Sequence, residues 1–359
     1  MKVGIVGLPN AGKTTLFNAL SSSAAETAPY PFTTVDPNVA VVPVPDDRLP
    51  QIAAVTEASP LVFETIEFDD IAGLVKGASR GEGLGNRFLA AIRETDAICH
   101  VVRAHDEQSV PHPDGRVDPV ADAEIVDAEL GLADLEHATA RLDRVRKEAG
   151  GGQRDVAAEL EWLERLVDAL ERGEPARSIP APALAKGPPQ ELHALTSKPV
   201  VYLANVQEDE TEPPPELADY ARARGAACLA FSARIEAELG ELAPEDAAQM
   251  RAELGLSGSG LERVVRTAYE LLDLLTFFTA HSGSEARARS LRRGLTAWDA
   301  AGRVHTDFQG GFVRAEAIGW RELVECGGYA GARQRGLVRT EGRDYLVTDG
   351  DVLTIKATG

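Results

Sequence analysis

The segment Gly7–Thr14, with the sequence GLPNAGKT, constrains the fold of this chain more than any other feature. It follows Val3–Val6, an apolar run typical of a buried parallel strand, and leads into Thr14–Leu20, which has a helical apolar pattern. In this order the glycines let backbone N–H groups turn towards an anion, and the helix N-terminus adds partial positive charge. The segment therefore predicts a phosphate-binding loop in an α/β domain.

The side chains of this loop and of a later segment predict a metal-dependent nucleotide site. Lys13 is suited to bridge the β- and γ-phosphates of a nucleoside triphosphate, and the Thr14 hydroxyl is suited to bind Mg²⁺. About 20 residues downstream, the sequence PFTT places Thr34 where it can complete the Mg²⁺ coordination only while a γ-phosphate is present.

Two further segments are typical of a nucleotide-dependent switch. In the sequence DIAG, Asp70 can hold Mg²⁺ through water, and the N–H of Gly73 can sense the γ-phosphate. The glycine-rich segment Gly77–Asn86 follows at once and has the composition of a chain that can order and disorder. We therefore interpret the chain as a P-loop switch protein.

The residue after Gly73 is Leu74, where many such enzymes carry a glutamine that orients the attacking water. A leucine cannot do this, so other groups must act or hydrolysis must be slow. Asn10 is one candidate, because it could help to place K⁺ near the phosphates, although it could equally only shape the turn. His112, in the polar loop 106–114, is another candidate, although an isolated loop histidine is often only solvated.

The segment that should read the base departs from the guanine-binding pattern Asn-Lys-x-Asp. The sequence after the strand candidate Val200–Ala204 is Asn205-Val206-Gln207-Glu208, so the usual lysine is missing and the carboxylate is one methylene longer. Adenine could instead be read by Asn205 and by the backbone near Val206. Ser232 and Ala233, after the next strand, are suited to complete the pocket floor. This pattern predicts a preference for ATP over GTP.

The order of elements predicts an α/β domain interrupted by helices. The strand candidates are Val3–Val6, Val39–Val44, Phe63–Asp69, Ala97–Val102, Val200–Ala204 and Ala227–Phe231, with Gly311–Arg314, Asp344–Val347 and Val352–Ile355 near the C-terminus, and a further helix is expected over Leu261–Leu275.

Residues 120–175 carry long helical patterns. The positions Val156, Leu160, Leu163, Val167 and Leu170 form one stripe, and Ile125, Ala128, Leu132, Leu135 and Leu142 form an earlier one. An inserted antiparallel helical hairpin is expected, either an arm that docks a partner or a wall packed on the core.

Composition limits the partners and the location of the protein. The net charge of −20 disfavours broad adhesion to nucleic acid. It is uneven, because residues 281–359 contain 12 basic and 10 acidic residues, so this part is either the least repelled by RNA or simply different in composition. Apolar runs are too short to span a membrane, and no secretion signal is evident. Three scattered cysteines suit a reducing cytoplasm, each as a small buried hydrophobe or, alternatively, in a redox role.

The assembled motifs resemble the YchF family, also called Obg-like ATPases, among the translation-factor class of P-loop proteins. The matching stretches run almost end to end: GIVGLPNAGKTTLFNAL, PFTTVDPNVAVVPVPDDRL, DIAGLVKGASRGEGLGNRFL, IRETDAICHVVR, NVQE and AGRVHTDFQGGFVRAE. The resemblance implies an Obg/Ras-like G domain (residues 1–118 and 199–278), a coiled-coil insertion (119–198) and a C-terminal TGS domain of β-grasp type (279–359).

The resemblance also implies site residues and partners. Nucleotide contacts fall on Asn10, Ala11, Gly12, Lys13, Thr14, Thr15 and Val206, metal contacts on Thr14 and Thr34, and the catalytic loop histidine of the family on His112. It further implies an ATPase that binds the ribosome, through its 50S subunit and in the 70S particle, by contacts with rRNA or ribosomal proteins. We expect a cytoplasmic monomer that binds ATP and ADP, without a DNA or membrane partner. The alternative is a GTP-dependent binding protein for ribosome assembly or the stress response.

Overall fold

The computed structural model describes residues 1–27, 38–71, 84–106, 112, 115–148, 154–182, 192–208, 210–256 and 258–358. Two compact units divide the chain: residues 1–42 with 67–268, and residues 43–66 with 269–359. Among the helices of these described ranges, none is long and apolar enough to cross a membrane.

The strands alternate with helices along most of the chain. The strands are β1 (Lys2–Val6), β2 (Val39–Pro43), β3 (Leu61–Val62), β4 (Thr65–Asp70), β5 (Ala97–Arg103), β6 (Val200–Asn205), β7 (Ala227–Phe231), β8 (Leu274–Thr279), β9 (Ala286–Arg292), β10 (Phe312–Gly319), β11 (Arg339–Glu341) and β12 (Asp351–Ala357). The helices are α1 (Lys13–Thr27), α2 (Arg48–Thr56), α3 (Leu84–Arg93), α4 (Pro119–Glu148), α5 (Arg154–Glu171), α6 (Pro215–Ala223), α7 (Ala233–Leu239), α8 (Pro244–Glu253), α9 (Gly260–Leu271), α10 (Ala297–Val304), α11 (Thr306–Gly310), α12 (Trp320–Glu325) and α13 (Tyr329–Gln334).

The first unit is built on a sheet with the strand order β2-β4-β1-β5-β6-β7. The pairs β1–β4, β1–β5, β5–β6 and β6–β7 are parallel. Strands β5 and β6 are buried along their whole length, which is why they read as continuous apolar runs. The expected α/β class is confirmed, and each of the six strands predicted here is present within two residues of its expected ends.

The second unit contains a mixed sheet with the order β11-β10-β12-β8-β9-β3. The strand expected over Asp344–Val347 is wrong: only Leu346 forms an isolated bridge, to Thr296. Asp351 explains this, because its carboxylate accepts hydrogen bonds from the Thr348 N–H and the Tyr345 hydroxyl and so holds this segment as a turn. The helix expected over Leu261–Leu275 ends at Leu271, and β8 begins at Leu274.

Helices α4 and α5 form the predicted helical insertion, and α4 has two different surroundings. Its first half packs into the core of the first unit through Ala123, Val126, Leu130 and Ala133. Its second half forms a separate apolar cluster with α5. All five residues of the stripe predicted on α5 belong to this cluster, which confirms that stripe. The first half of α4 therefore forms the expected wall packed on the core, whereas the docking of a partner by the helical pair stays a prediction.

The stripe predicted on α4 is confirmed at Ile125, Leu135 and Leu142, which belong to the apolar clusters, and is wrong at Ala128 and Leu132. Ile125 and Leu135 are half-buried, whereas Ala128 is exposed and Leu132 is 40% exposed. The buried face is displaced because acidic residues lie on it, each with specific partners. Asp122 pairs with His112, Asp127 accepts from the Tyr202 and Tyr220 hydroxyls, and Asp134 accepts from the Leu195 and Thr196 N–H groups, so α4 is fixed to the α/β body by carboxylates as well as by packing.

Cys99, Cys228 and Cys326 are free thiols. Burial raises the pKa of Cys99 and raises the pKa of Cys228 to about 11. Both therefore carry neutral thiols at physiological pH, which suits the interpretation of these two as small buried hydrophobes.

Candidate nucleotide-binding site

The loop between β1 and α1 adopts a conformation that depends on its glycines. Gly7 has φ 152° and Gly12 has φ 103°, and a Cβ added at either position would overlap Val101 O or Asn205 Nδ2 respectively. Asn10 has φ 64°, a left-handed conformation that asparagine tolerates better than most residues. The loop is thus shaped by backbone geometry that larger residues at these glycines could not reproduce.

The side chain of Lys13 contacts the backbone of this loop. Its Nζ donates a hydrogen bond of 2.8 Å to Leu8 O, and the residue is 8% exposed. Burial lowers the pKa of Lys13, and the nearby carboxylate of Asp70 opposes this effect. A partly desolvated cation held in place beside backbone donors is suited to an anionic ligand with several phosphates.

Thr14 and Asp70 bring two hard oxygen ligands together at the mouth of the loop. The Thr14 hydroxyl donates to Asp70 Oδ2 across 3.4 Å. Hydroxyl and carboxylate oxygens are the groups that Mg²⁺ prefers, so the chemistry of this pair fits that cation, with Thr14 as a direct ligand and Asp70 acting through water. Thr34, the third predicted metal ligand, lies outside the described residues.

Asn205 braces the loop from the end of β6. Its Nδ2 donates to Ala11 O and its Oδ1 accepts from the Ala233 N–H, each at 3.1 Å. The amide therefore ties the phosphate loop to the start of α7, and both of its polar atoms have backbone partners. Its predicted role as a base reader stays a prediction. Ser232 caps α7 by accepting from the Ile235 N–H.

A cavity of about 600 Å³ opens in front of the loop and collects most of the predicted site residues. The predicted residues that line it are Asn10, Gly12, Lys13, Thr14, Thr15, Asn205, Val206, Glu208, Ser232 and Ala233. Sequence reasoning missed other lining residues, among them Arg103, His105, Asp106, Gln207, Arg234 and Glu238. Arg234 and Glu238 are separated by one helical turn, a spacing that could have indicated their ion pair from the sequence.

One part of the cavity lining, formed by Glu208, Arg234 and Glu238, is charged and partly exposed. Arg234 Nε lies 3.1 Å from Glu208 Oε1 and 3.1 Å from Glu238 Oε1. Val206 beside them is 3% exposed and offers no polar side-chain group. Gln207 Nε2 donates to Asp106 O across 3.2 Å, which connects this part of the lining to the segment after β5.

His112 is not among the described residues that line the cavity. Its Nε2 instead lies 2.8 Å from Asp122 Oδ2 on α4, with the two side chains 5% and 6% exposed. Gly73, Leu74 and the segments 31–34 and 77–83 lie outside the described residues.

The fold and the loop together define the class: a P-loop nucleoside triphosphatase with an inserted helical pair and a C-terminal α/β unit. Residues 2–128 match a family model described as 50S ribosome-binding GTPase, and residues 274–358 match the YchF-GTPase_C model, described as a protein of unknown function.

Full-length relatives narrow the class to a family. The chain is 45% identical to the ribosome-binding ATPase YchF of Bacillus subtilis and 46% identical to that of Escherichia coli O157:H7, with 98% of each chain covered in both comparisons. The solved structure of the Schizosaccharomyces pombe YchF GTPase superposes with a TM-score of 0.88 at 33% identity, covering 99% of this chain and 97% of that one. The chain belongs to the YchF family.

Proposed function

We propose that this protein is an ATP-hydrolysing molecular switch that binds the ribosome and hydrolyses ATP to ADP in preference to GTP. The similar bacterial proteins are named ribosome-binding ATPases, whereas the yeast neighbour is named a GTPase, so the choice of base needs its own argument. The observation that carries the proposal is the wall formed by Val206, Glu208 and Arg234 in the cavity of the phosphate loop.

This wall disfavours guanine for two reasons. Guanine presents N1–H and N2–H donors, which need a free carboxylate, but Glu208 already pairs with Arg234 at 3.1 Å. Val206 replaces the lysine of the guanine-binding pattern with an apolar side chain. Because the ion pair is exposed, its own free energy is at most about 1 kcal/mol. The ion pair therefore opposes guanine only weakly. The preference comes chiefly from the missing lysine at Val206 and the longer side chain of Glu208, and adenine N6 would donate to backbone carbonyl groups near Val206.

The phosphate end of the cavity supports hydrolysis that depends on Mg²⁺. Thr14 and Asp70 would hold the ion, with Thr34 completing its coordination, and the bound ion would neutralise charge on the β- and γ-phosphates. Lys13 neutralises further charge as the bond between the γ-phosphorus and the bridging oxygen breaks. Thr34 and Gly73 report whether the γ-phosphate is present, which makes the protein a switch.

Water activation in this protein must do without a fixed glutamine, because Leu74 stands at that position. His112 would orient the attacking water, or Asn10 would help to place K⁺ beside the phosphates. Low turnover in isolation follows, together with faster turnover when a partner completes the site. The partner would be the 50S subunit, free or within the 70S ribosome, contacted through rRNA or ribosomal proteins by a monomeric cytoplasmic protein.

Turnover with and without ribosomes tests the main proposal. The rate of ATP hydrolysis should be low for the purified protein and should rise when 50S subunits or 70S ribosomes are added. Lys13→Ala should lower kcat by about 100-fold or more, because it removes a positioned charge from the transition state. A fast rate that ribosomes do not change would contradict the switch.

Competition binding tests the choice of base. The wild-type protein should bind ATP more tightly than GTP, and a clear preference for GTP would favour the GTP-dependent alternative. The double variant Val206→Lys, Glu208→Asp restores the guanine-binding pattern after Asn205. It should shift the ratio of the two affinities at least about tenfold towards GTP, the equivalent of one charge-assisted hydrogen bond. An unchanged ratio would show that this wall does not read the base.

A further inference from the structure

The pair formed by His112 and Asp122 is a buried titratable contact of the first unit that the nucleotide site does not use. His112 Nε2 and Asp122 Oδ2 lie 2.8 Å apart, and both side chains are nearly inaccessible to water. Burying a carboxylate and an imidazole outside a binding cavity has a desolvation cost, which only a close and well-aligned contact offsets. A loop histidine without a specific role would avoid this desolvation cost by remaining in water.

Asp122 is itself held firmly at the start of α4. Its backbone N–H donates to Asp118 O at 2.9 Å, and the Ala121 N–H donates to Asp118 Oδ1 at 3.0 Å, so Asp118 caps this helix. The carboxylate that receives His112 is therefore fixed to the root of the helical insertion. Any displacement of that root changes the position of the Asp122 carboxylate.

His112 lies in the connection between β5 and α4, and the β5 end of this connection lies at the nucleotide cavity. After β5 ends at Arg103, His105 and Asp106 line the cavity, and Gln207 Nε2 donates to Asp106 O across 3.2 Å. His112 thus belongs to the chain connection that starts at the nucleotide cavity and ends at α4. Its imidazole is attached to α4.

We propose that Asp122 is the positioning residue of His112: its carboxylate retains the imidazole at the root of α4 and withholds it from the nucleotide until the pair separates. The proposal rests on the hydrolytic role of His112 proposed above. A partner that engages the helical insertion and displaces the root of α4 releases the imidazole, which then orients the attacking water. The bonds that form and break during hydrolysis are unchanged, and only the position of His112 differs.

Steady-state kinetics of the full-length protein without ribosomes test this role. Asp122→Asn keeps the shape of the side chain and weakens the contact by removing its charge, and Asp122→Ala removes the contact altogether. Both should raise kcat for ATP, by about tenfold for Asp122→Ala, a part of the ~100-fold or more that a positioned acid–base group contributes. The KM for ATP should stay unchanged, and the additional stimulation by 70S ribosomes should shrink by the same factor.

The control variant is Asp118→Asn, which removes one negative charge from the same helix end while asparagine still caps it. It should leave kcat unchanged, and an equal rise in Asp118→Asn would assign the effect to loosening of the helix. Melting temperatures identify any variant that unfolds.

Epistasis separates this proposal from the proposed function. If Asp122 acts through His112, the double variant His112→Ala, Asp122→Ala should match His112→Ala alone. A kcat for both Asp122 variants that is unchanged, or that falls to the His112→Ala level, overturns the restraint, and so does a rise that persists in the double variant. If His112→Ala alone leaves the ribosome-stimulated kcat unchanged, the catalytic assignment of His112 fails instead.

Discussion

Gly12 shows at the scale of one residue how the loop and the base side of the cavity depend on each other. Its φ of 103° and its contact with the Asn205 amide leave no room for a Cβ. Asn205 in turn connects Ala11 to Ala233. A side chain at position 12 would therefore disturb the phosphate loop and the start of α7 together.

Gly12→Ala should weaken nucleotide binding by about tenfold or more, because strain of about 1–3 kcal/mol must be relieved by moving the loop or Asn205. Titration with a fluorescent ATP analogue measures this change. Gly131→Ala is the matched control, because a Cβ at that helical position meets nothing within 4 Å. It should leave binding unchanged and stabilise α4 by up to about 1 kcal/mol. Equal effects of both variants on binding would contradict the steric argument.

Site residues were predicted best where they lie in a loop that directly follows a strand. The phosphate loop and the residues after β6 and β7 could be placed because strand, loop and helix follow one another directly. The pairing of Glu208 with Arg234 could not be placed, because it depends on how α7 leaves its strand. The position of His112 against Asp122 was equally inaccessible, because a contact between a loop and a helix face has no periodic signal.

Helix α4 shows the same limit at the scale of an element. Its buried face was only partly predictable, because Asp122, Asp134 and Glu129 are buried among its apolar residues. Hydrophobic periodicity assumes that carboxylates face water. The assumption fails for Asp122 and Asp134 because their carboxylates meet His112 and the Leu195 and Thr196 N–H groups. Helix α5 buries one carboxylate, that of Glu159, which pairs with Arg141 at 2.8 Å, and its apolar stripe was predicted correctly.

Asp134→Ala should destabilise the first unit by about 3 kcal/mol. Asp134 accepts from the Leu195 N–H at 2.7 Å, from the Thr196 N–H at 2.8 Å and from the Thr196 hydroxyl at 2.6 Å, all buried. Removing the carboxylate leaves these donors without their acceptor, at about 1–3 kcal/mol for each unsatisfied group. Urea unfolding followed by circular dichroism measures the loss. Asp143→Ala, on an exposed position of the same helix, should change stability by less than about 0.5 kcal/mol, and equal losses would contradict the argument.

At the scale of the whole molecule, the second unit is discontinuous in sequence. Residues 43–66 lie between two strands of the first sheet, yet they belong to the unit formed with residues 269–359. From this segment α2 contributes Leu49 and Ile52, both fully buried, to a core shared with Phe278, Ile318 and Leu323. Strand β3 also pairs in parallel with β9 through Leu61 and Ala286. The composition of the sequence indicated the C-terminal part of this unit but not its N-terminal segment. That segment contains only the short elements α2 and β3, which lie in the sequence between the strands β2 and β4 of the first sheet.

The second unit should therefore fold in isolation only when both of its segments are present. A fragment of residues 269–358 lacks two fully buried aliphatic side chains, each stabilising by about 1.5–3 kcal/mol, and also lacks the strand beside β9. It should show no cooperative thermal unfolding. Adding residues 43–66 through a flexible Gly/Ser linker should restore a cooperative transition and dispersed amide resonances. Replacing Leu49 and Ile52 with serine in the linked fragment should abolish that recovery, because the linker alone supplies no core. A cooperative transition in residues 269–358 by themselves would show that this unit folds without the N-terminal segment.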